Sequence, residues 1–385
     1  MDLDGFNALL TPRGQRALAE AVELSGADPV AAATALRRTY DAALTSAALT
    51  QAGLRERARA KFGADAGRMY FTPQGLEQAT RKEVAEHRAR RLAGAKVADA
   101  CCGVGGDFLA LARAGCTVAA VDLDPLTVAV ARANAEAFGM EDRVTVTVGD
   151  AAAVRPEDHD VLFADPGRRT SRGRTFDPMA YSPPWPVVLD LVARTERACL
   201  KVAPGIPYEY IPQPAEAEWV SYKGEVKEAT LWTGERPARR ATLLPGGHSL
   251  TATGARAEVG AMGRYVYEPD GAAIRAHLVG EVAARVGGRL LDPRVAYIAS
   301  DLALDTPWAS RYAVDDIMTF SLKKLRAALR DRKIGNVTIK KRASAVDIER
   351  LRTDLRLIGE KSAVIILTRI MDKPYALICD TTPPA

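Results

Sequence analysis

The stretch "KVADACCGVGGDFLALARAGCTVAAVDLDP", Lys96 to Pro125, sets a glycine-rich turn between two apolar runs, and the second run ends in acid. Short apolar runs alternating with helical spacing continue through "RVTVTVGD", "DVLFADP" and "LKVAP" to about Val202. That rhythm belongs to βαβ units and to a parallel sheet covered by helices on both faces. The fold class is therefore α/β, with a Rossmann-like sheet whose first turn is built for close backbone approach of a ligand.

A dinucleotide turn wants G-x-G-x-x-G, the third glycine allowing close helix packing, and here Gly103-Val104-Gly105-Gly106-Asp107-Phe108 puts Phe108 at that position. S-adenosylmethionine, held at the same sheet edge, has no pyrophosphate and does not need the third glycine. Asp99, ending the first strand, can accept from the cofactor's ammonium, while the backbone at Gly103 and Gly105 carries its methionine and ribose portions. Asp122 ends the second strand, where a carboxylate accepts two hydrogen bonds from a ribose diol. Asp150, after "VTVTVG", suits the adenine amine, with the backbone of Ala151 beside it. A single acid at a strand end is often only a helix cap. Acids at the carboxyl ends of consecutive parallel strands mark the edge where open α/β sheets bind ligands.

Around this centre the chain is organised in three parts. Residues 1–92 are rich in Ala, Leu, Arg and Glu, with apolar residues at three- and four-residue spacing, a helical lead-in. In "FTPQGLEQATRKEVAEHRARRL", Thr72 as N-cap and Pro73 at the first helical position fix a helix start just ahead of the glycine turn. Residues 93–262 hold the sheet, closing with "EWVSYKGEVKEATLW" and "RRATLLPGGHSL", read as two strands joined by "TGERPA" at the sheet edge. Residues 263–385 read as a small α+β domain, with Ser321 capping the helix "LKKLRAALRDRK" and strands in "NVTIKKR", "SAVIILTRI" and "YALICD".

Composition bounds the function. A chain of 385 residues with 48% hydrophobic and 26% charged residues has the mix of a soluble globular protein with a sizeable core. The net charge of +5, from 53 Lys+Arg against 48 Asp+Glu, is too nearly balanced to announce a nucleic-acid partner without local clustering. The 5 cysteines and 4 histidines have no metal-ligand spacing, and scattered cysteines suit a reducing compartment. No basic start leads into a long apolar run, and no uncharged stretch reaches the roughly 18 to 20 residues that span a membrane. The expectation is a cytoplasmic protein with no metal and no membrane partner.

At these residues a resemblance is plain. From Phe71 to about Val202 the chain resembles class I S-adenosylmethionine-dependent methyltransferases, most closely the trimethylguanosine synthase branch. Thr72-Pro73, Asp99, Cys102-Gly103, Gly105-Gly106 and Asp122-Leu123-Asp124-Pro125 match that branch's "TPE"-like helix start, "D-x-x-C-G-x-G-G" and "D-x-D-P". The resemblance implies that Thr72 helps to hold the cofactor. It also implies an RNA substrate methylated at a base amine, guanosine by likeness. "YVYEPDGAAIRAHL" and the order of elements beyond it resemble the THUMP-like domain appended to bacterial relatives.

Amine-methylating members carry Asp, Asn or Ser, then Pro-Pro and an aromatic, after the fourth strand. This chain has "FADPGRRTSRGRTFDP": Asp165 and Pro166 match, Gly167 replaces the second proline, and Arg168 replaces the aromatic. A guanidinium can stack on a base face, so Arg168 can substitute for the ring. "SPPW", Ser182 to Trp185, looks like the motif but stands far past the strand and reads as a helix start, with Trp185 packing or stacking on substrate. Arg168, Arg169, Arg172 and Arg174 crowd one loop at the cofactor edge, where arginines suit an anionic substrate. Lys323 and Lys324, with Arg326, Arg330, Arg332 and Lys333, then Lys340, Lys341 and Arg342, form a second basic cluster; it fits an RNA backbone or simply a solvated face. Two other readings stay open: a methyltransferase of an anionic small molecule or protein, and a non-catalytic protein that binds cofactor and RNA. The sequence does not choose the RNA, the methylated atom, the number of transfers or the oligomeric state.

Overall fold

The five apolar runs between Lys96 and Val202 become five parallel strands, β1 (Lys96–Asp99), β2 (Thr117–Asp122), β3 (Val144–Val148), β4 (Val161–Ala164) and β5 (Ala198–Val202). They are seen in a computed structural model describing residues 1–170, 173–175 and 177–380, of which 169, 170 and 174 are described as backbone only. Their order is β5-β4-β1-β2-β3. The register pairs Asp99 with Ala120 on β2 and with Phe163 on β4, and Asp122 with Val148. Every residue of β4 and β5 is buried, as expected of strands with helices on both faces. The order in which strands are added to the sheet reverses between β1 and β4, and the crevice at this switch point lies outside the carboxyl ends of the strands. Glu228–Thr233 runs antiparallel to β5, pairing Ala229 with Val202 and Thr233 with Ala198.

The chain forms two compact units, Met1–Glu216 with Glu228–Pro237, and Ala217–Lys227 with Ala238–Ala385. In the first unit four helices, Leu3–Leu10, Pro12–Glu23, Pro29–Leu36 and Ala42–Phe62, precede the sheet. Asp2, Thr11, Asp28 and Asp41 cap them, each side chain accepting from a backbone N–H three residues on. Phe6, Leu9 and Leu18 from these helices share one apolar core with Phe108 of the helix Gly106–Arg113 and with Val118 and Phe163 of the sheet.

The second unit departs from the expected edge strands. "EWVSYKGEVKEATLW" is itself two strands, Ala215–Tyr222 and Glu225–Thr233, reversing at Lys223 and Gly224, where φ is 52° and 80°. "RRATLLPGGHSL" is likewise two, Ala238–Leu244 and His248–Thr251, antiparallel with Leu243 opposite His248. Beyond them a seven-stranded sheet runs in the order Arg289–Asp292, Val295–Ser300, Tyr265–Pro269, Ala309–Thr319, Lys373–Cys379, Lys361–Ile370, Ile334–Lys341. Ser321 stands at the N-cap of the helix Leu322–Asp331 without a side-chain cap bond, whereas Asp347 caps Ile348–Leu355. Among the described residues no helix is long and apolar enough to cross a membrane, and no group of His, Cys, Asp or Glu could hold a metal.

Candidate active site

The glycine turn is held open by its own neighbours. Gly103 and Gly105 have φ of 54° and 89°, and a Cβ on Gly105 would lie 2.2 Å from the Phe108 ring. The phenylalanine that displaces the dinucleotide glycine thus closes over Gly105 and is fully buried. Asp122 reaches across from β2: one carboxylate oxygen accepts from Gly103 N at 3.0 Å and the other from Asp124 N at 3.0 Å. Each oxygen keeps a second lone pair. Burial holds the Asp122 carboxyl above the usual carboxylate range. Asp99 lies deeper, fully buried under the turn. Its Oδ1 accepts from Cys101 N at 3.2 Å, and its Oδ2 has no hydrogen-bond partner. Burial first, and then the neighbouring carboxylates of Asp107, Asp165 and Asp122, push Asp99 well above the usual range.

Above this turn opens a cavity of about 460 Å³, within the size range of small-molecule sites. Cys101 to Val104 line its floor, Asp122 and Leu123 one side, Gly149 to Ala152 the next, and Gln74, Gly75 and Gln78 the wall above the turn. Asp150 faces this space while its Oδ1 caps the turn Ala151–Ala153, accepting from Ala152 N at 2.9 Å. Thr72 is buried, its Oγ1 accepting from Gly75 N at 2.9 Å as the N-cap of the helix Pro73–Gln78. An orphaned, buried carboxylate oxygen fits a cationic amine, and a half-buried carboxylate beside open space fits a ribose diol. The residues present therefore fit S-adenosylmethionine.

At the mouth, Asp165 follows β4, and its Oδ2 is ion-paired with Lys201 of β5. A recess of about 100 Å³ adjoins it, lined by Glu77, Gln78, Pro166, Arg168 and Lys201. "SPPW" comes closer than its distance along the chain implies. Gly167 N donates to Ser182 O at 2.7 Å and Ser182 N to Gly167 O at 2.9 Å. This bridge brings Ser182, Pro183 and Pro184 to the cavity wall beside Asp165 and Gly167. Counting residues from the strand missed this, because the chain leaves after Gly167 and returns. Trp185 is 2% exposed and starts the helix Trp185–Ala193, so its ring packs in the interior. Arg172 lies outside the described residues, as do the side chains of Arg169 and Arg174.

A buried polar cluster under the site carried no signal in the sequence. Arg88, itself buried, is ion-paired with both Asp107 and Glu228. Thr80 Oγ1 donates to Asp107 at 2.9 Å and Thr230 Oγ1 to Glu228 at 3.0 Å. Burial opposes the charge on Asp107, but Arg88 and Lys201 outweigh it and hold that carboxyl below its usual range. Arg88 is one of four arginines in "RKEVAEHRARR", and nothing in helical spacing marks the one that turns inward.

In the second unit the basic cluster divides. Lys323 and Lys324 are exposed on the helix Leu322–Asp331. Lys340 pairs with Glu268 at 2.6 Å, and Lys341 Nζ donates to Val346 O at 2.9 Å.

Fold and site together define a class I S-adenosylmethionine-dependent methyltransferase with a THUMP-like carboxyl-terminal domain. Residues 94–188 match the family model for RNA cap guanine-N2 methyltransferase, residues 309–381 that for the THUMP domain-like family, and residues 2–58 a domain of unknown function, DUF8688. An uncharacterised S-adenosylmethionine-dependent methyltransferase of Mycobacterium tuberculosis strain H37Rv is 35% identical over 335 residues, spanning 82% of this chain and 90% of that protein. Its counterpart in strain CDC 1551 matches equally. The chain belongs to this family of S-adenosylmethionine-dependent methyltransferases. A crystal structure from Porphyromonas gingivalis W83, assigned as a methyltransferase, shares the fold with a TM-score of 0.78 at 21% identity, covering 95% of this chain and 98% of that one.

Proposed function

We propose that the enzyme methylates RNA at a base amine, guanosine N2 being favoured by the family model matched over residues 94–188. The observation that carries the reading is the mouth of the cavity. There the Asp165 carboxylate and the Gly167–Ser182 bridge form a polar wall beside the cofactor turn. The cofactor supplies an electrophilic methyl group on a sulfonium. Asp99, Asp122 and Asp150, with the backbone of Gly103, Gly105 and Ala151, hold it, and Thr72 contributes by fixing the helix start above the turn.

An aromatic amine is a poor nucleophile because its lone pair is delocalised into the ring. Acceptors on its hydrogens localise that pair and stabilise the positive charge that develops as the nitrogen–methyl bond forms and the methyl–sulfur bond breaks to leave a neutral thioether. The surplus amine proton then leaves through the acceptor to solvent. Lys201 holds Oδ2 of Asp165 and leaves Oδ1 to accept from the amine. Pro166 fixes the turn that aims it, and Arg168, half-buried beside the recess, stacks on or pairs with the incoming base. Arg169, Arg172 and Arg174 follow in the same loop and supply cations for the substrate's phosphates. In the THUMP-like domain Lys323 and Lys324 grip RNA backbone, and the enzyme works in the cytoplasm. Trp185 keeps a packing role.

Labelled methyl transfer to total RNA, protein extract and metabolites in parallel tests the reading. We expect label in RNA, recovered as N2-methylguanosine after digestion; label confined to protein or metabolites overturns it. Asp165→Ala should lower turnover by about 10²- to 10³-fold with little change in cofactor affinity, and Asp165→Asn should lose less because its amide oxygen still accepts. A folded, cofactor-bound and fully active Asp165→Ala enzyme removes Asp165 from the chemistry.

A further inference from the structure

The carboxyl-terminal half of one helix in the amino-terminal segment grips the upper wall of the cavity. Gln51, fully buried in the helix Ala42–Phe62, pairs with Phe71 in the manner of a neighbouring strand: Nε2 donates to Phe71 O at 2.5 Å, and Phe71 N donates to Oε1 at 3.1 Å. One turn on, Arg55 Nε donates to Met69 O at 2.8 Å. At the helix end Lys61 Nζ donates to Leu76 O, Glu77 O and Ala79 O, each at 2.8 Å. These are the carbonyls at and just past the carboxyl end of the helix Pro73–Gln78, where a cation is favoured by the helix dipole. From the other side Asn134, also fully buried, accepts from Tyr70 N at 2.7 Å and donates to Tyr70 O at 2.9 Å and Val104 O at 2.8 Å. Val104 belongs to the glycine turn, and Gln74, Gly75 and Gln78 face the cavity.

A buried amide costs free energy unless its groups are paired, and each of these two closes a two-way pair with the backbone of this segment, Gln51 at Phe71 and Asn134 at Tyr70. Asn134 also ties it to Val104, and Gln51 also donates to Met1 Sδ at 3.8 Å. We infer that the amino-terminal helical segment is a splint for the cofactor site, with Gln51 and Lys61 as positioning residues that fix the wall formed by residues 69–79. The segment matched as DUF8688, residues 2–58, thereby gains a role: it presents Gln51 and Arg55 to the wall. The inference rests on the assignment of this cavity to S-adenosylmethionine.

The test uses the full-length protein with Lys61→Met, which keeps the aliphatic stem, Lys61→Arg, and Gln51→Leu. A control, Leu18→Ala, opens space in the same helical core while leaving in place every side chain that hydrogen-bonds the backbone of residues 69–79. At a temperature where all are folded, Lys61→Met and Gln51→Leu should bind S-adenosylmethionine about tenfold more weakly by calorimetry, the size expected for losing charged or buried hydrogen bonds. Lys61→Arg should recover most of the loss, and Leu18→Ala should bind like the parent. Amide hydrogen exchange without cofactor should quicken across residues 70–79 in Lys61→Met and not in Leu18→Ala. Parental affinity and exchange in Lys61→Met overturn the splint, and so does an equal loss in Leu18→Ala. Should Gln51→Leu fail to fold, the Lys61 pair decides alone. A parent that does not bind the cofactor refutes the cavity assignment instead, and exchange still reads the splint.

Discussion

Asp99 meets opposing demands at one carboxyl group. Full burial with an unpartnered Oδ2, among three other carboxylates, raises its affinity for a proton, yet a ligand ammonium would be held best by its ionised form. A carboxyl raised in the folded state contributes most stability below its unfolded pKa, and that contribution is lost as pH climbs through the folded value. Asp99→Asn removes the titration and keeps an oxygen for Cys101 N. Its melting temperature relative to the parent should therefore be lowest at the acid end, near the ordinary carboxylate value, and rise as pH climbs above it, while its cofactor affinity falls. Melting curves across that range together with calorimetric titration check both; a difference that does not change with pH would mean Asp99 is not raised. Asp107 runs the other way. Lowered on balance by Arg88 and Lys201, it supports the fold above the ordinary carboxylate range and loses that support as pH falls through its folded value.

The helix Pro73–Gln78 lies against the glycine turn at Gly75, where an added Cβ would stand 2.3 Å from Val104 Cγ1 and 2.8 Å from Thr72 Oγ1. Gly75→Ala must therefore part the helix from the turn. We expect a loss of about 1–3 kcal/mol in stability, typical of an overpacked contact, and several-fold weaker cofactor binding. Gly53, exposed in the helix Ala42–Phe62 with nothing within 4 Å of its Cβ position, is the contrast. Gly53→Ala should stabilise by about 0.5–1 kcal/mol through helix propensity and leave binding alone. Denaturant melts of the pair check this, and equal effects would mean the Gly75 contact yields without cost. At this scale much was legible in the sequence. The strands of the sheet announced themselves by apolar runs ending in acid, and Thr72-Pro73 fixed a helix start. Less legible were elements whose signal is tertiary. The reversal at Lys223-Gly224 has no Asn or Asp before its glycine, so two strands read as one. Ser182 to Pro184 reach the cavity only through the bridge to Gly167. Arg88 was hidden because a buried arginine is defined by its partners, Asp107 and Glu228, which lie 19 and 140 residues away.

Across the molecule, 53 basic residues against 48 acidic ones leave little net field, so any pull on RNA has to come from cations without carboxylate partners. Sequence proximity grouped Lys323, Lys324, Lys340 and Lys341, but the fold treats them differently. Lys340 alternates onto the sheet face that carries Glu268 and Tyr312; it pairs with the first and stands 5.5 Å from the ring centre of the second. Burial opposes its charge and Glu268 restores it, leaving the ammonium above its ordinary value. A phosphate approaching Lys340 would have to compete with a carboxylate already in contact. Lys323 and Lys324 stand exposed on their helix, and Arg330 and Lys333 are exposed at and just past its end. If this helix holds RNA, each phosphate contact releases condensed counterions, and affinity falls with salt by roughly one unit of log–log slope per contact. Replacing Lys323 and Lys324 together by Ala should therefore lower RNA affinity at low salt and flatten the slope by about two units. Lys340→Ala should change the slope by much less and instead lower the melting temperature, because Glu268 loses a partner. Filter binding of one RNA at a series of salt concentrations, with thermal melts of each variant, separates the two groups. Equal slopes for the parent and the Lys323/Lys324 variant would make the helix a solvated face and leave RNA binding to the arginine loop after Gly167.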